Sequence, residues 1–296
     1  VFDGGGEVAD LVIGMIGAGN MAEALLRGLL GRAVVSADRI WVTNRSNRER
    51  LLGVGARYGV RVTPAKAPLL DAASVLILAV KPRDAQEVLG EMAGAVRPDQ
   101  LVISVIAGLP LATLEAALPG VPVIRAMPNT SAAVLASATA LTPGRHATPE
   151  HRDTAIRIFE AVGEVVVVSE DALDVITGLS GSGPAYVYRL IEAMIHAGTD
   201  LGLSGDLARR LAVQTLVGAA RMLAESSADP AELRQRVTSP GGTTMAALGV
   251  LEDRGFARAV RDAISRAAER AREMAAQYAS RPAALPGEDS SRTAGS

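Results

Sequence analysis

The feature that most constrains this chain is a turn near its beginning. An apolar stretch, Leu11–Ile16, runs directly into Gly17-Ala18-Gly19-Asn20-Met21-Ala22, and a helical pattern follows through Leu30. A strand that ends on GxGxxA and opens a helix is the arrangement of a dinucleotide-binding βα unit. The first glycine permits the tight turn. The second lets the backbone approach a pyrophosphate, and the small Ala22 lets helix and strand pack closely. Peptide N–H groups in the first turn of a helix lack intrahelical partners and carry partial positive charge, so they suit phosphate oxygens. Gly17, Gly19, Asn20 and Met21 are therefore the expected phosphate-side contacts.

The rest of the chain falls into two halves. Up to about Val168, apolar and β-branched runs alternate with helical patterns: Leu11–Ile16, Arg39–Thr43, Ser74–Val80, Leu101–Val105, Val121–Met127 and Glu164–Val168. A near-continuous apolar run such as Val75–Val80 suits a parallel strand covered on both faces. After Ser169 the strand signal disappears. Val187, Leu190, Ile191, Met194 and Ile195 fall at helical spacing, and Gly205–Leu223, Pro230–Val237, Thr243–Glu252 and Phe256–Tyr278 also read as helices. The expected fold is α/β, a Rossmann-type doubly wound sheet over 11–168 followed by an all-helical carboxy-terminal domain over 169–278. Residues 1–10 read as a flexible segment and 279–296 as a disordered tail rich in Pro, Ser, Gly and Ala.

Composition narrows the chemistry. The chain of 296 residues has no Cys, which excludes disulfides, thiol catalysis and Cys-ligated zinc. His146, His151 and His196 are scattered without metal-ligand spacing, so no metal is expected. Thirty Lys and Arg against 32 Asp and Glu give a net charge of -2, with no electrostatic pull toward nucleic acid or an anionic membrane. No targeting segment or bilayer-length apolar window stands out, and a cytoplasmic location is the expectation.

The end of the second strand bears on the choice of dinucleotide. A site for NAD usually places an acid there for the ribose 2′-hydroxyl. This chain has Asn44, Arg45 and Ser46 instead, a fixed cation flanked by donors, which favours a 2′-phosphate and hence NADP(H), with NAD(H) as the alternative. Two later strand ends should line the same crevice: Ala79-Val80-Lys81-Pro82 and the Met127-Pro128-Asn129-Thr130 segment, where Asn129 is either a nicotinamide-side donor or the start of an Asx turn. In the helical half, Gly178–Pro184 offers a close backbone approach to a ligand or another helix. The loop Val237–Thr244 combines Ser239, Gly241, Gly242, Thr243 and Thr244 ahead of a helix, either an anion cradle or an ordinary capped turn.

Taken in order, Ile16–Ala22, Val80-Lys81-Pro82, Met127–Thr130, Gly181–Tyr186, Gln214–Ala220 and Val237–Thr244 resemble the pyrroline-5-carboxylate reductase family over about residues 11–275. Thr243 departs from the pattern, since many members carry Ala there. The resemblance implies hydride transfer from NADPH to the C=N carbon of a cyclic imino acid, giving L-proline, in a homodimer or higher homo-oligomer assembled through the helical domain. It implies a substrate carboxylate held by Ser239, Gly241, Gly242 and Thr243, and Thr244 as the catalytic hydroxyl facing the ring nitrogen. Two other classes fit parts of the pattern. One is an NADP-dependent dehydrogenase of the β-hydroxyacid type, whose acid/base residue would have to be His196. The other is a non-catalytic NADP(H)-binding module, which needs the Gly17–Ala22 turn but not the Ser239–Thr244 loop.

Overall fold

The structure is a computed structural model that describes residues 11–45 and 47–279. The segment 1–10, Ser46 and the expected tail from residue 280 onward lie outside the described residues. The chain divides into two compact units. The described residues up to Gly181 join those of 267–279 in one, and Ser182–Arg266 form the other. The expected division lay at Ser169, with all of 169–278 in the second domain.

The first unit is built on an eight-stranded sheet in the order β3-β2-β1-β4-β5-β6-β7-β8. The strands are β1 Ile13–Ile16, β2 Ile40–Thr43, β3 Arg61–Thr63, β4 Val75–Leu78, β5 Leu101–Ser104, β6 Val123–Met127, β7 Ser137–Pro143 and β8 Gly163–Val167. The helices are α1 Asn20–Gly31, α2 Arg48–Tyr58, α3 Ala67–Ala72, α4 Ala85–Met92, α5 Leu111–Ala117, α6 Pro149–Glu160 and α7 Glu170–Ile176. The chain winds outward from β1 through β2 to β3, then returns to lay β4 on the other side of β1. Ile13 is thus in register with Ile40 on one side and Val75 on the other. This reversal opens a crevice at the carboxyl ends of β1 and β4, the usual ligand position in such sheets.

Alternate residues of each strand feed opposite layers. Val75 and Ile77 join Met15, Leu25, Leu29 and Phe159 on one face; Leu76 and Leu78 join Ile16, Leu69, Leu89 and Leu114 on the other. Both faces are covered, which is why the strands read as unbroken apolar runs.

Two strands escape the sequence pattern. β3 is only three residues long, between Gly59 and Pro64. β7 reads Ser-Ala-Thr-Ala-Leu-Thr-Pro and runs antiparallel to β6. The connection from Met127 to Ser137 is too short for a parallel crossover, so the next strand must return antiparallel. The polar side chains of β7 are tolerated in the interior because each is satisfied. Ser137 Oγ accepts from Asn129 N at 3.1 Å and lies 3.1 Å from Thr139 Oγ1, and Thr142 Oγ1 donates to Val168 O at 3.0 Å.

A π-helical turn, Thr177–Gly181, closes this part of the unit. Gly181 faces β6: a Cβ there would stand 2.6 Å from Met127 Cε. The returning segment at the end of the last helix, α12 Phe256–Ala279, buries Ala268 and Ala271. Tyr278 Oη donates to Pro82 O at 2.7 Å, and burial pushes its phenol up from the ordinary value.

The second unit is helical throughout its described residues: α8 Gly183–Asp200, α9 Gly205–Ala224, α10 Pro230–Arg236, α11 Thr243–Asp253 and the first part of α12. α8 and α9 form a hairpin in which Gly198 meets Ala208; a Cβ at Gly198 would lie 3.2 Å from Ala208 Cβ. Ser204 caps α9 by accepting from Leu207 N at 3.4 Å. No residue of α8, α10 or α11 is buried, and α9 buries only Ala208 and Ala212.

Candidate active site

The glycine turn is held from below and open above. Gly17 adopts φ +112°, donates its N–H to Thr43 O at 2.9 Å, and would place a Cβ 2.5 Å from Ala79 O. The fold itself therefore requires a glycine there. Gly19 is different. Its backbone is extended, at φ -79° and ψ -178°, and a Cβ would meet nothing closer than Ala79 O at 3.9 Å. Neither conformation nor packing within the protein demands glycine at 19; the missing side chain leaves room for a ligand. Gly19 is also the N-cap of α1, and no side chain caps that helix, so its first-turn amides stay open to an anion. These features fit a dinucleotide pyrophosphate.

Beside the turn lies a cavity of about 180 Å³ lined by Gly17, Thr43, Asn44, Arg45, Lys66, Val80, Arg83 and Asp84 among others. The strand ends read from the sequence thus converge: Gly17 from β1, Asn44 and Arg45 from β2, Val80 from β4. Asn44 Nδ2 donates to Asn47 O at 3.3 Å. Arg45 forms an ion pair with Glu87 and approaches Asp84 at 3.9 Å. The hydrogen bond and then the charge of Glu87 push its guanidinium further above the ordinary value.

Other expected residues sit elsewhere. Ala79 is half-buried with its carbonyl under both glycines, and Asn20 Oδ1 accepts from Arg50. Met21 packs against the core. Lys81 is exposed, ahead of the 3₁₀ turn Pro82–Asp84. Asn129 is 8% exposed and its amide is engaged at both ends. Oδ1 accepts from Ser131 N at 3.1 Å in an Asx turn, and Nδ2 donates to Ser180 O at 3.1 Å. Its carboxamide therefore ties the end of β6 to the π-helical turn.

Sequence reading missed three cations of this neighbourhood. Lys66 follows β3, itself unread, and Arg83 lies in the turn after Pro82. Arg50 occupies the third position of α2, whose N-cap Asn47 accepts from Arg50 N at 2.8 Å. That cap was legible, and it aims Arg50 at the glycine turn. Arg50 Nε donates to Ala18 O at 2.5 Å, and Nη2 reaches Asn20 Oδ1 at 2.7 Å and Glu23 Oε1 at 2.9 Å.

In the second unit, the loop before α11 has Gly241 at φ +69°, Gly242 N donating to Ser239 O at 3.0 Å, and Gly242 as an N-cap without a side-chain bond. Neither Ser239 nor Thr243 caps the helix, so its first-turn amides have no side-chain acceptor. Thr243 and Thr244 open the helix, and the Thr244 side chain forms no hydrogen bond among the described residues. Thr238 is committed inward, its hydroxyl donating to Arg234 O at 2.7 Å.

Two stretches of the chain match two families. Residues 170–274 match the family described as pyrroline-5-carboxylate reductase dimerisation, and residues 12–108 match NADP oxidoreductase coenzyme F420-dependent. Pyrroline-5-carboxylate reductase 2 of Bacillus subtilis is 42% identical over 257 residues, covering 86% of this chain and 92% of that protein. The structure of a pyrroline-5-carboxylate reductase from Coxiella burnetii superposes with a TM-score of 0.83 at 38% identity, covering 90% of this chain and 98% of the other. A Plasmodium falciparum pyrroline carboxylate reductase with NADP bound gives 0.82 at 27% identity over the same shares. With an open glycine turn at its first strand and this likeness across both units, the chain belongs to the pyrroline-5-carboxylate reductase family.

Proposed function

We propose that the chain reduces 1-pyrroline-5-carboxylate to L-proline with NADPH, the last step of proline biosynthesis. The observation that carries the reading is that the two matched families cover both halves of the chemistry: the Gly17–Ala22 turn lies within 12–108 and the Ser239–Thr244 loop within 170–274. A binding module would need only the first. When bound, NADPH supplies the hydride that the imine carbon accepts while the ring nitrogen gains a proton.

The chain's own residues position and stabilise. The open amides of α1, with Gly19 left bare, take the pyrophosphate. Asn44 and Arg45 take the ribose end with Val80 beside them, and Ala79, Lys81 and Pro82 continue the same strand end. The uncapped start of α11, with Ser239, Gly241, Gly242 and Thr243, offers N–H and O–H donors to the substrate carboxylate. The hydroxyl of Thr244, unengaged among the described residues, donates to the ring nitrogen as electron density builds there. Asn129 acts through position, since its amide is already committed. The protein works as a homodimer or higher homo-oligomer without nucleic acid, and the cytoplasm is the compartment this biosynthetic reading implies.

The test is loss of reduced-nicotinamide absorbance with pyrroline-5-carboxylate, with a panel of hydroxy acids in the reverse direction, and with no substrate, together with chiral identification of proline. Turnover of a hydroxy acid alone would place the chain with the β-hydroxyacid dehydrogenases. Within that assay, Thr244→Ala should lower kcat by roughly ten- to a hundredfold, the worth of a hydrogen bond to developing charge. Thr244→Ser should keep most of the rate, and the Kd for NADPH should hardly move. A destabilised Thr244→Ala that turns over normally would make the hydroxyl a structural group.

A further inference from the structure

The cations around the cavity beside the glycine turn are not free. Arg45 forms its ion pair with Glu87 and lies 3.9 Å from Asp84 Oδ1; Lys66 Nζ pairs with Glu91; Arg83 Nε lies 3.8 Å from Asp84 Oδ1. Arg45, Lys66 and Arg83 all line the cavity. Glu87 and Glu91 stand four residues apart on α4, hence on one face, and Asp84 is the N-cap of the same helix. One helix therefore sets an acidic stripe against the cations of the cavity and gives each of these three a carboxylate within 4 Å. Two of them, Lys66 and Arg45, come from the ends of two other strands, so the stripe bridges three separate segments of the crevice.

We propose that Glu87 is a specificity-determining residue that restrains the preference of this chain for NADP(H) over NAD(H), because a 2′-phosphate must displace its carboxylate to reach the Arg45 guanidinium. The proposal rests on reading this cavity as the ribose end of the dinucleotide site. A 2′-phosphate carries close to two negative charges. To form its fork with Arg45 it must take the place of Glu87, and the displaced carboxylate then repels it from nearby. A 2′-hydroxyl brings no charge to be repelled and can donate to a carboxylate. Glu87 thus acts against one cofactor and leaves the other almost untouched. Glu91 adds to the effect by neutralising Lys66, the less exposed cation, whose side chain is only 18% accessible. The Arg45 and Glu87 side chains are each 53% accessible, so water and salt moderate the interaction. The opposite role, Glu87 as a brace that holds Arg45 in position for the phosphate, predicts the opposite sign.

Calorimetric titration of the full-length homo-oligomer with 2′,5′-ADP and 5′-AMP isolates the 2′-phosphate, and NADP⁺ and NAD⁺ extend the comparison to the whole cofactors. Glu87→Gln should tighten 2′,5′-ADP roughly two- to fivefold, the size expected for a half-exposed ion pair, while 5′-AMP changes little. The gain should shrink as salt is raised, and the double variant Glu87→Gln, Glu91→Gln should exceed it. An unchanged ratio of the two nucleotides, or weaker 2′,5′-ADP binding, overturns the proposal. Arg45→Ala separates the underlying reading. If the parent prefers 2′,5′-ADP and Arg45→Ala abolishes that preference, the cavity is the 2′-phosphate site whatever Glu87 does. If the parent shows no preference and Arg45→Ala changes nothing, the reading of the cavity fails and the proposal falls with it. Melting temperatures of the variants confirm that the compared proteins are equally folded.

Discussion

At the scale of single residues, two glycines that look alike in the sequence have different physical reasons. Gly17 has a positive φ and a carbonyl 2.5 Å from where its Cβ would sit. Gly19 has an ordinary extended backbone and open space. Gly17→Ala should therefore lower the melting temperature, because both strain and a backbone clash enter the folded state. Gly19→Ala should leave the melting temperature of the ligand-free protein nearly unchanged and weaken NADPH binding at least tenfold, since the methyl occupies the room a pyrophosphate needs. Equal destabilisation by the two substitutions would show that Gly19 also serves the fold. The motif was legible in the sequence, but this division of labour was not: it depends on where Ala79 O lies, and Ala79 is brought beside the turn by the pairing of β1 with β4.

At the scale of elements, three segments are pinned together by one carboxylate. Glu170, in the first turn of α7, accepts from Arg125 Nη1 at 2.6 Å and from the backbone N–H of Leu111, the first residue of α5, at 2.8 Å. Arg125 on β6 is 8% exposed, so Glu170 supplies both the counter-charge of a buried guanidinium and an acceptor for the first amide of a helix whose N-cap, Pro110, makes no side-chain bond. Glu170→Ala leaves a buried cation and a helix amide without their partner. The expected loss is about 2–3 kcal/mol, at the upper end for a charged hydrogen bond because Arg125 stays buried. Glu170→Gln, whose amide oxygen can take the place of Oε1 in both bonds but carries no charge, should cost less. Urea midpoints measured at one protein concentration, with unchanged m, would report it; a Glu170→Ala midpoint equal to the parent's would remove the pin. Helices and most strands could be read from periodicity, because an apolar stripe or run is a local property. β3 and β7 could not. Arg61–Thr63 holds too few residues to show a period, and β7 is made of Ala, Ser and Thr whose hydroxyls find partners only in the folded sheet.

At the scale of the whole molecule, the second unit is short of an interior. α8 spans 18 residues without burying one, and Tyr188, Leu211, Met222 and Val250 are between 53% and 61% exposed. Apolar faces of this extent on two long helices call for cover by another chain, and the match of residues 170–274 to a dimerisation family identifies a homo-oligomer. The mass in solution should therefore be at least twice the 30.5 kDa of one chain, by sedimentation equilibrium. Leu211→Glu on α9 should shift that mass toward the monomer and lower the melting temperature, because it sets a charge into the covered face. A monomer that keeps full activity would defeat this account. What the amino-acid order determined by itself is whatever depends on neighbours along the chain: the glycine turn, the strand–helix alternation, the helical second half and the loop before α11. What only the tertiary structure decided depends on distant segments meeting. It placed Lys66, Arg83 and the acids of α4 around Arg45, engaged both ends of Asn129, and left Gly19 bare. Burial and ion pairing arise between residues far apart in sequence, and no local pattern encodes which of them the sheet will bring together.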